Sequence, residues 1–223
     1  MIRLLIACIV ASALVAIASA QRAQTPPASR PDPKNIVLRG DRFRPLTYDE
    51  MTPAQKTMLE RLLAGPRGGA DGPFNVLLRS PEMGDLAQQF GAARFTTPVP
   101  RRLWEMAVLL TARHWTSQFE WYAHRRGAEQ AGLSPAICDA IAERRRPPQM
   151  QPDETVVYNF ASELLETKQV SDATFKAATG LLGERGVVDL IGVMGWYGTV
   201  SMLLNVDRYP LPEGVQPPLK PLK

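Results

Sequence analysis

The stretch Trp115-Thr-Ser-Gln-Phe-Glu-Trp-Tyr-Ala-His124 decides how this chain is interpreted, because it combines proton-transfer groups with a high density of aromatic side chains. Glu120 and His124 are four residues apart, so on a helix they lie on the same face, one turn from each other. His124 is one of only two histidines in the sequence, the other being His114. A histidine beside a carboxylate and aromatic walls is typical of an acid/base site.

The same residues also fit a purely structural role. The spacing of Ser117 and Glu120 matches a capping box, in which Ser117 is the N-cap of a helix and Glu120, at N3, accepts from the Ser117 N–H. On this interpretation His124 is a hydrogen-bonded residue on the helix face. Both interpretations start a helix at Ser117, where the helix dipole favours a carboxylate, so the two roles are compatible.

The first twenty residues have the three parts of a secretory signal peptide. These are a basic start at Arg3, an apolar run over residues 4–17, and Ala18-Ser-Ala20 as the cleavage signal. Leu5-Ile-Ala-Cys8 resembles a lipoprotein box but has little apolar sequence before it, and a retained N-terminal anchor is another alternative. We expect a secreted or periplasmic protein. Cleavage removes Arg3 and no acid, so the net charge falls from +4 to +3, which does not indicate a nucleic-acid partner.

The mature chain divides into three parts by composition. Residues 21–44 are rich in Pro, Ala, Ser and charge and predict a disordered linker. A helical domain is predicted over residues 45–212, followed by a Pro-rich tail over residues 213–223. No segment alternates apolar and polar residues with period two, so the predicted fold class is all-α, with seven or eight helices. Helix starts are predicted where a Ser or Thr precedes a proline, at Thr52, Ser80 and Ser134.

Two segments before residue 96 are assigned structural roles only. The glycine-rich segment 65–73 lacks the lysine and the following Ser or Thr of a phosphate-binding P-loop, so it is interpreted as a plain loop. After it, Leu86 and Phe90 form an apolar stripe at helical spacing, with Met83 as a further candidate member, which predicts a helix that buries this stripe.

The last long segment, residues 187–206, is nearly all apolar and long enough to suggest a membrane span. It also carries Gly192, Gly195 and Gly198 at three-residue spacing, and small residues in a row let another helix approach closely. We interpret the segment as a buried core helix or a subunit-interface helix, with a membrane span as the alternative. The mature chain is therefore expected to have no membrane span.

Residues 101–135 resemble the carboxymuconolactone decarboxylase family and the related alkylhydroperoxidase D family. The features that match are Glu105 in an apolar helix, the Glu-x-x-x-His spacing that ends at His124, and Gly132-Leu-Ser134 after the helix. The resemblance covers the chain from about residue 72 to residue 212. It implies a multi-helix orthogonal bundle of the alkylhydroperoxidase D type and a homo-oligomer, either a trimer or a hexamer.

The two branches of this family differ in their cysteines. In the peroxidase branch a Cys-x-x-Cys pair precedes the histidine by seven and four residues, positions that hold Ser117 and Glu120 here. The mature chain has one cysteine, Cys138, which is expected to pack as a small apolar group. Without a thiolate to attack peroxide, thiol peroxidase activity is not expected. The decarboxylase branch does not use cysteines at these positions, so the chain is more similar to that branch.

The resemblance implies acid/base chemistry, a decarboxylation or a lactone-type step, on a small carboxylated compound. Glu105, Glu120 and His124 are its candidate catalytic residues. The candidate substrate-binding residues are Arg113, Trp115, Ser117, Phe119 and Trp121, with Arg125 and Arg126 as other possible partners of a carboxylate. No cofactor is expected, and no metal, because two histidines so placed make a poor ligand set. The alternative is a non-catalytic exported binding or scaffold protein with the same fold.

A shared site for these residues depends on a break in the helix. If residues 101–131 formed one straight helix, Glu105 and His124 would be about 28 Å apart at 1.5 Å per residue. A break near residues 114–116 would let the helix that carries Glu105 fold back, and the cap signal at Ser117 marks that place.

We predict that the mature protein begins at Gln21, because the cleavage signal ends at Ala20. Mass spectrometry of the protein purified from its native host should show Gln21 at the N-terminus. An intact Met1, or a lipid on Cys8, would contradict the prediction.

Overall fold

The computed structural model describes residues 30–221, so the predicted signal peptide and the first part of the predicted linker lie outside the described residues. Within that range the chain is all-helical, with eight α-helices, two short 3₁₀ helices at Pro33–Asn35 and Ala93–Phe95, and no strand, which confirms the all-α prediction. The α-helices are α1 (Pro53–Ala64), α2 (Phe74–Leu77), α3 (Pro81–Ala92), α4 (Arg101–His114), α5 (Gln118–Gln130), α6 (Pro135–Ala142), α7 (Pro152–Thr167) and α8 (Asp172–Asp207).

The predicted helix starts are confirmed at Thr52, Ser80 and Ser134, each of which is an N-cap followed by a proline. The start of α1 has the complete capping box, because the Thr52 hydroxyl accepts from the Gln55 N–H and the Gln55 side chain accepts from the Thr52 N–H. Proline at the first helical position lacks the N–H that would have no partner there. These local signals therefore fix where the helices begin.

Helix α4 lies at the centre of the bundle, in contact with α5, α7 and α8. Residues 103–113 of α4 are all buried, including Glu105 and Arg113. A helix that is buried on every face forms the core of a domain. Its first turn is tied to α7 by Arg102, which pairs with Asp153 and Glu154.

The buried stripe predicted for α3 is wrong, since its apolar side chains Met83, Leu86 and Phe90 are exposed, Leu86 to 70%. The face that α3 buries contains Gly84 and Gly91 instead. A Cβ on Gly91 would overlap the Trp196 ring of α8, and a Cβ on Gly84 would lie 2.7 Å from the backbone oxygen of Leu77. The glycines bring the backbone of α3 against its neighbours, which turns the large side chains of the helix outward.

Helix α8 contains the apolar segment predicted for residues 187–206, after an interruption at Gly183, whose φ of 67° and ψ of 169° are not helical. Within residues 30–221 it is the one helix long and apolar enough to cross a membrane by length and composition. The core helix of a soluble protein passes the same test, and 56% of the most apolar window of α8 is buried inside the fold.

The three glycines of the apolar segment, Gly192, Gly195 and Gly198, have different surroundings. A Cβ on Gly192 would lie 3.6 Å from the Phe90 ring, and a Cβ on Gly198 would lie 3.5 Å from Nε1 of Trp115. A Cβ on Gly195 would meet nothing within 4 Å. A side chain at Gly192 or Gly198 would therefore be in ordinary contact with a neighbour inside the chain, and Gly195 faces outward.

The structure differs from the linker prediction over residues 38–44, which pack on the bundle. Leu38 is buried in the core. The backbone N–H groups of Asp41 and Phe43 donate to Oδ1 of Asp207, at 3.3 and 2.8 Å. Asp207 is fully buried at the end of α8, and a buried carboxylate needs such donors.

The predicted Pro-rich tail also packs on the bundle in part. Leu219 is buried, and its N–H and C=O hydrogen-bond to the side-chain amide of Gln118, at 2.9 and 2.8 Å. The tail thus covers the first turn of α5.

Asp207→Ala should destabilise the fold, because it leaves the N–H groups of Asp41 and Phe43 without their acceptor. We expect a loss of about 2–4 kcal/mol in the free energy of unfolding, measured by urea denaturation. Asp49→Ala is the matched control, since Asp49 is exposed, and it should cost less than about 0.5 kcal/mol. An equal loss in the two variants would contradict this role of Asp207.

Candidate functional site

The chain reverses direction between α4 and α5, as the sequence predicts. Helix α4 ends at His114, and Thr116 has a left-handed backbone conformation with φ of 49°. This turn lays α5 back along α4. As a result, Nδ1 of His124 on α5 is 2.7 Å from Oε2 of Glu105 on α4. The predicted break is confirmed, and the structure brings together two residues nineteen positions apart in sequence.

His124 lies between two buried carboxylates. Its Nδ1 hydrogen-bonds to Glu105, and its Nε2 is 3.0 Å from Oε1 of Glu120. Glu105 and Glu120 are both buried, and the His124 side chain is 16% exposed. The structure therefore joins the three candidate catalytic residues in one cluster, Glu105–His124–Glu120.

The cluster holds His124 in its charged form. Burial lowers the pKa of His124, but the charge of Glu120 and the hydrogen bonds to Glu105 and Glu120 raise it by a larger amount, so that the pKa is about 9. His124 is thus an imidazolium at neutral pH, with both ring N–H groups directed at carboxylates. One cation between two carboxylates leaves one negative charge, and the Nε of Arg101 lies 3.4 Å from Oε1 of Glu105.

The capping-box interpretation of Ser117 and Glu120 is wrong. Ser117 is the N-cap of α5, but its hydroxyl makes no capping hydrogen bond. Its N–H donates to the backbone oxygen of Ala112, not to Glu120. The Glu120 carboxylate points instead to His124, one turn further along the helix. A nearby buried cation attracts this carboxylate more strongly than a backbone N–H does.

Gly127 allows α4 and α5 to approach at the cluster. A Cβ on Gly127 would lie 2.8 Å from Oε1 of Glu105, closer than carbon and oxygen atoms pack. A side chain at this position would therefore displace the carboxylate that holds Nδ1 of His124. Sequence reasoning did not identify this glycine, which follows His124 by three residues on α5.

A cavity of about 230 Å³, the acid/base cavity, opens beside Glu120 and His124. Its aromatic walls are Phe119, Trp196 and Tyr197. The Tyr197 ring packs edge-on against the His124 ring, with 4.7 Å between ring centroids. Burial raises the pKa of Tyr197, so its phenol stays neutral. Glu105 does not line the cavity, and it contacts His124 from the opposite ring nitrogen.

Two arginines, Arg67 and Arg94, also line the acid/base cavity. Nη2 of Arg67 and Nε of Arg94 are buried and have no hydrogen-bond partner among the described residues. Arg94 donates to the Tyr197 hydroxyl through Nη1. Burial and the charge of Arg94 lower the pKa of Arg67 to about 10, so Arg67 is still a cation at neutral pH. Buried, unpaired guanidinium N–H groups at a cavity wall are suited to an anionic acceptor.

Of the five predicted substrate-binding residues, only Phe119 lines the acid/base cavity. Trp121 is fully buried in the core, and Ser117 is buried at the start of α5. Trp115 is on the surface at the end of α4, and Arg113 donates to the Thr116 hydroxyl. The structure thus places these four residues in or near the turn between α4 and α5.

The arginines at the cavity are not the ones that the sequence indicated. Arg125 is engaged on the surface with Glu129 and Asp139, at 3.0 and 2.7 Å. Arg67 belongs to the glycine-rich segment that was interpreted as a plain loop, and Arg94 to the second 3₁₀ helix. The usable signal was an arginine within a glycine-rich segment, because such a loop can bring its backbone close to another element.

Cys138 packs as a small apolar group, as predicted. It is fully buried on α6, and burial raises the pKa of its thiol to about 11. The thiol is therefore protonated at neutral pH and is not an activated nucleophile. Over the part of the chain that the structure describes, no three His, Cys, Asp or Glu side chains are grouped to hold a metal ion.

No family model, no curated protein and no solved structure matches this chain. The resemblance to the carboxymuconolactone decarboxylase family therefore rests on the motif residues, and the function is argued from the geometry of the site.

The raised pKa of His124 predicts a loss of stability in alkali. A histidine with a pKa of about 9 in the folded protein and about 6.5 when unfolded stabilises the fold fully below pH 6.5. This contribution, up to about 3 kcal/mol, is lost as the pH rises through about 9. Urea denaturation at pH 6.5, 8 and 9.5 measures it.

His124→Gln should be less stable than the wild type at pH 6.5. Its free energy of unfolding should change little between pH 6.5 and 9.5, because the titrating histidine is absent. His114→Gln, the control, should keep the decline. A wild type that is equally stable at pH 6.5 and 9.5 would contradict the ion-paired state of His124.

Proposed function

We propose that this chain is an exported acid/base enzyme of the carboxymuconolactone decarboxylase type, with the helical bundle of that family. Its substrate is a small carboxylated organic compound. The observation that carries the proposal is the placement of Glu120 and His124 on a cavity wall that also holds two arginines with unpaired N–H groups. Proton-transfer groups and anion-binding groups thus face the same space.

The arginines supply binding and orientation. A substrate carboxylate that accepts from Arg67 and Arg94 is held by charge-assisted hydrogen bonds, which are about twice as strong as neutral ones. The flat walls of Phe119 and Trp196 confine the remainder of the molecule. Orientation of this kind lowers the barrier of a following proton transfer, because the reacting groups are already in place.

Glu120 and His124 supply the proton and the charge. Loss of CO₂ from the substrate breaks a C–C bond and leaves its electron pair as an enolate, and attack of water on the acyl carbon of an enol lactone breaks the C–O bond and releases an enolate as well. The enolate needs a nearby cation and a proton on carbon. The imidazolium of His124 stabilises that negative charge, and Glu120, 3.0 Å from Nε2, carries the proton between ring and substrate. Glu105, on Nδ1, is a positioning residue that fixes the ring orientation.

One observation favours a second candidate, a non-catalytic binding protein with the same site. Both ring nitrogens of His124 are already paired with carboxylates, and its pKa of about 9 makes it a weak acid at neutral pH. A general acid works best with a pKa near the working pH. A thiol peroxidase is the less favoured alternative, because Cys138 is buried and protonated.

Assembly into a homo-oligomer and export remain predictions. Exposed apolar side chains on α3 and α8, among them Leu86 and Val188, offer a second copy of the chain a surface to cover. Light scattering at micromolar concentration measures the oligomeric state.

The test begins with a thermal-shift screen of aromatic acids, aliphatic acids and lactones against the wild type. With a ligand in hand, Glu120→Gln and His124→Ala should reduce turnover by about 10²–10⁴-fold, and Glu120→Gln should retain binding. Arg67→Gln should weaken binding about tenfold or more. Circular dichroism confirms that each variant is folded.

Arg126→Gln is the matched control, since Arg126 is exposed on the same helix as His124 and does not line the cavity. It should behave as the wild type. Unchanged turnover in both Glu120→Gln and His124→Ala would place the chemistry elsewhere. Ligand binding without any turnover by the wild type would favour the binding protein.

A further inference from the structure

A second pocket, of about 280 Å³, lies between α3 and α8 and adjoins the acid/base cavity. The two spaces share a wall, because Arg94 and Trp196 line both. The other walls of this α3–α8 pocket are mainly apolar, with Phe90 from α3 and Ile191 and Gly192 from α8. A cation therefore stands at the boundary between a polar cavity and an apolar one.

The two spaces together have the volume of a small-molecule site, whereas neither has it alone. Small-molecule sites measure roughly 300–1,000 Å³. The acid/base cavity, at about 230 Å³, and the α3–α8 pocket, at about 280 Å³, each fall below this range, and together they lie within it. A ligand that fills both has its charged end near the arginines and its apolar part between the helices.

The polar groups around the α3–α8 pocket agree with this orientation. Its one carboxylate, Asp189, accepts from the Thr97 hydroxyl at 2.9 Å and lies 3.9 Å from Arg185. Asp189 therefore already has partners within the described chain. Arg94, at the inner end, keeps a buried Nε without a partner in the described chain. The mouth is formed by exposed apolar side chains, Phe90 and Ile191, which a bound apolar group would cover.

We propose that the two spaces form one site for an amphipathic carboxylate, with the carboxylate at Arg67 and Arg94 and an aliphatic chain in the α3–α8 pocket. This inference rests on the proposed carboxylate site and narrows its substrate class. It assigns to Phe90, Ile191 and Gly192 the selection of ligands by the length of their apolar part.

Two glycines of α8 provide matched variants for the test. A Cβ on Gly192 would lie 3.6 Å from the Phe90 ring, in ordinary contact, so a larger side chain there enters the pocket. A Cβ on Gly195, three residues further, would meet nothing within 4 Å. Gly192→Leu should therefore fill the pocket, and Gly195→Leu should leave it open.

The experiment is calorimetric titration of the full chain with straight-chain carboxylates of four to ten carbons. For the wild type, Kd should fall about threefold to fourfold for each added methylene until the pocket is full, the equivalent of about 0.8 kcal/mol per step. Gly192→Leu should remove this gain in affinity with chain length and should bind butyrate with the same Kd as the wild type. Gly195→Leu should match the wild type, and light scattering records the oligomeric state of both variants.

Several results would overturn the inference. They are a Kd that does not depend on chain length, an equal effect of the two leucine variants, or a Gly192→Leu variant that keeps the gain. If Gly192→Leu keeps the gain in affinity and no longer forms the oligomer, the α3–α8 pocket holds a side chain from a second copy of the chain instead of a ligand.

The proposed function fails in a different way. If butyrate binds to the wild type but not to Arg67→Gln, and Kd does not depend on the length of the carboxylate chain, only the inference about the α3–α8 pocket is contradicted. A length effect with unchanged turnover in Glu120→Gln removes only the acid/base chemistry. If none of these carboxylates binds, both the proposed carboxylate site and the inference about the α3–α8 pocket are contradicted.

Discussion

Glu105 and Glu120 can be buried side by side because a single imidazolium lies between them. Taking one carboxylate out of water costs several kcal/mol, and an uncompensated pair would cost more. The compensation requires α4 and α5 to lie antiparallel, which requires the reversal at Thr116. It also requires a residue without a side chain at Gly127, where Glu105 meets α5. The turn at Thr116 and the glycine at position 127 thus both allow His124 to lie between Glu105 and Glu120.

The charged groups around the acid/base cavity differ in whether they have partners within the described chain. Glu105 and Glu120 are matched by His124, with Arg101 beside Glu105. Arg67 and Arg94 face the cavity among aromatic rings, and each has a buried N–H that the described chain does not satisfy. Such donors are costly when they are left unpaired. The carboxylate that we propose as ligand would relieve this cost, so its binding should stabilise the fold.

The sequence predicts the parts of this structure that depend on local signals. Helix starts follow from an N-cap and a proline, and the break before Ser117 follows from its cap position, so the meeting of Glu105 and His124 was foreseeable. The prediction that the apolar stripe of α3 is buried was wrong, because glycines and not large apolar residues lie on the buried face of that helix.

Long-range packing explains the features that sequence reasoning missed. Arg67 comes from a loop and Arg94 from a 3₁₀ helix, and both reach the cavity through contacts with α8, where Arg67 lies over the Trp196 ring and Arg94 donates to the Tyr197 hydroxyl. The capping role of Glu120 failed because a nearer partner, His124, competes for its carboxylate. Neither outcome follows from the spacing of residues along the chain.

The contact between Leu219 and Gln118 affects the order in which the chain folds. Gln118 opens the helix that carries Glu120 and His124, and its amide bonds to a backbone 101 residues later. Synthesis runs from the N-terminus, so α4 and α5 are complete long before residue 219 exists. The start of α5 stays uncovered during that interval. The start of α5 is therefore closed by a segment that is made 101 residues after Gln118, and a chain cut short before residue 219 lacks this closure.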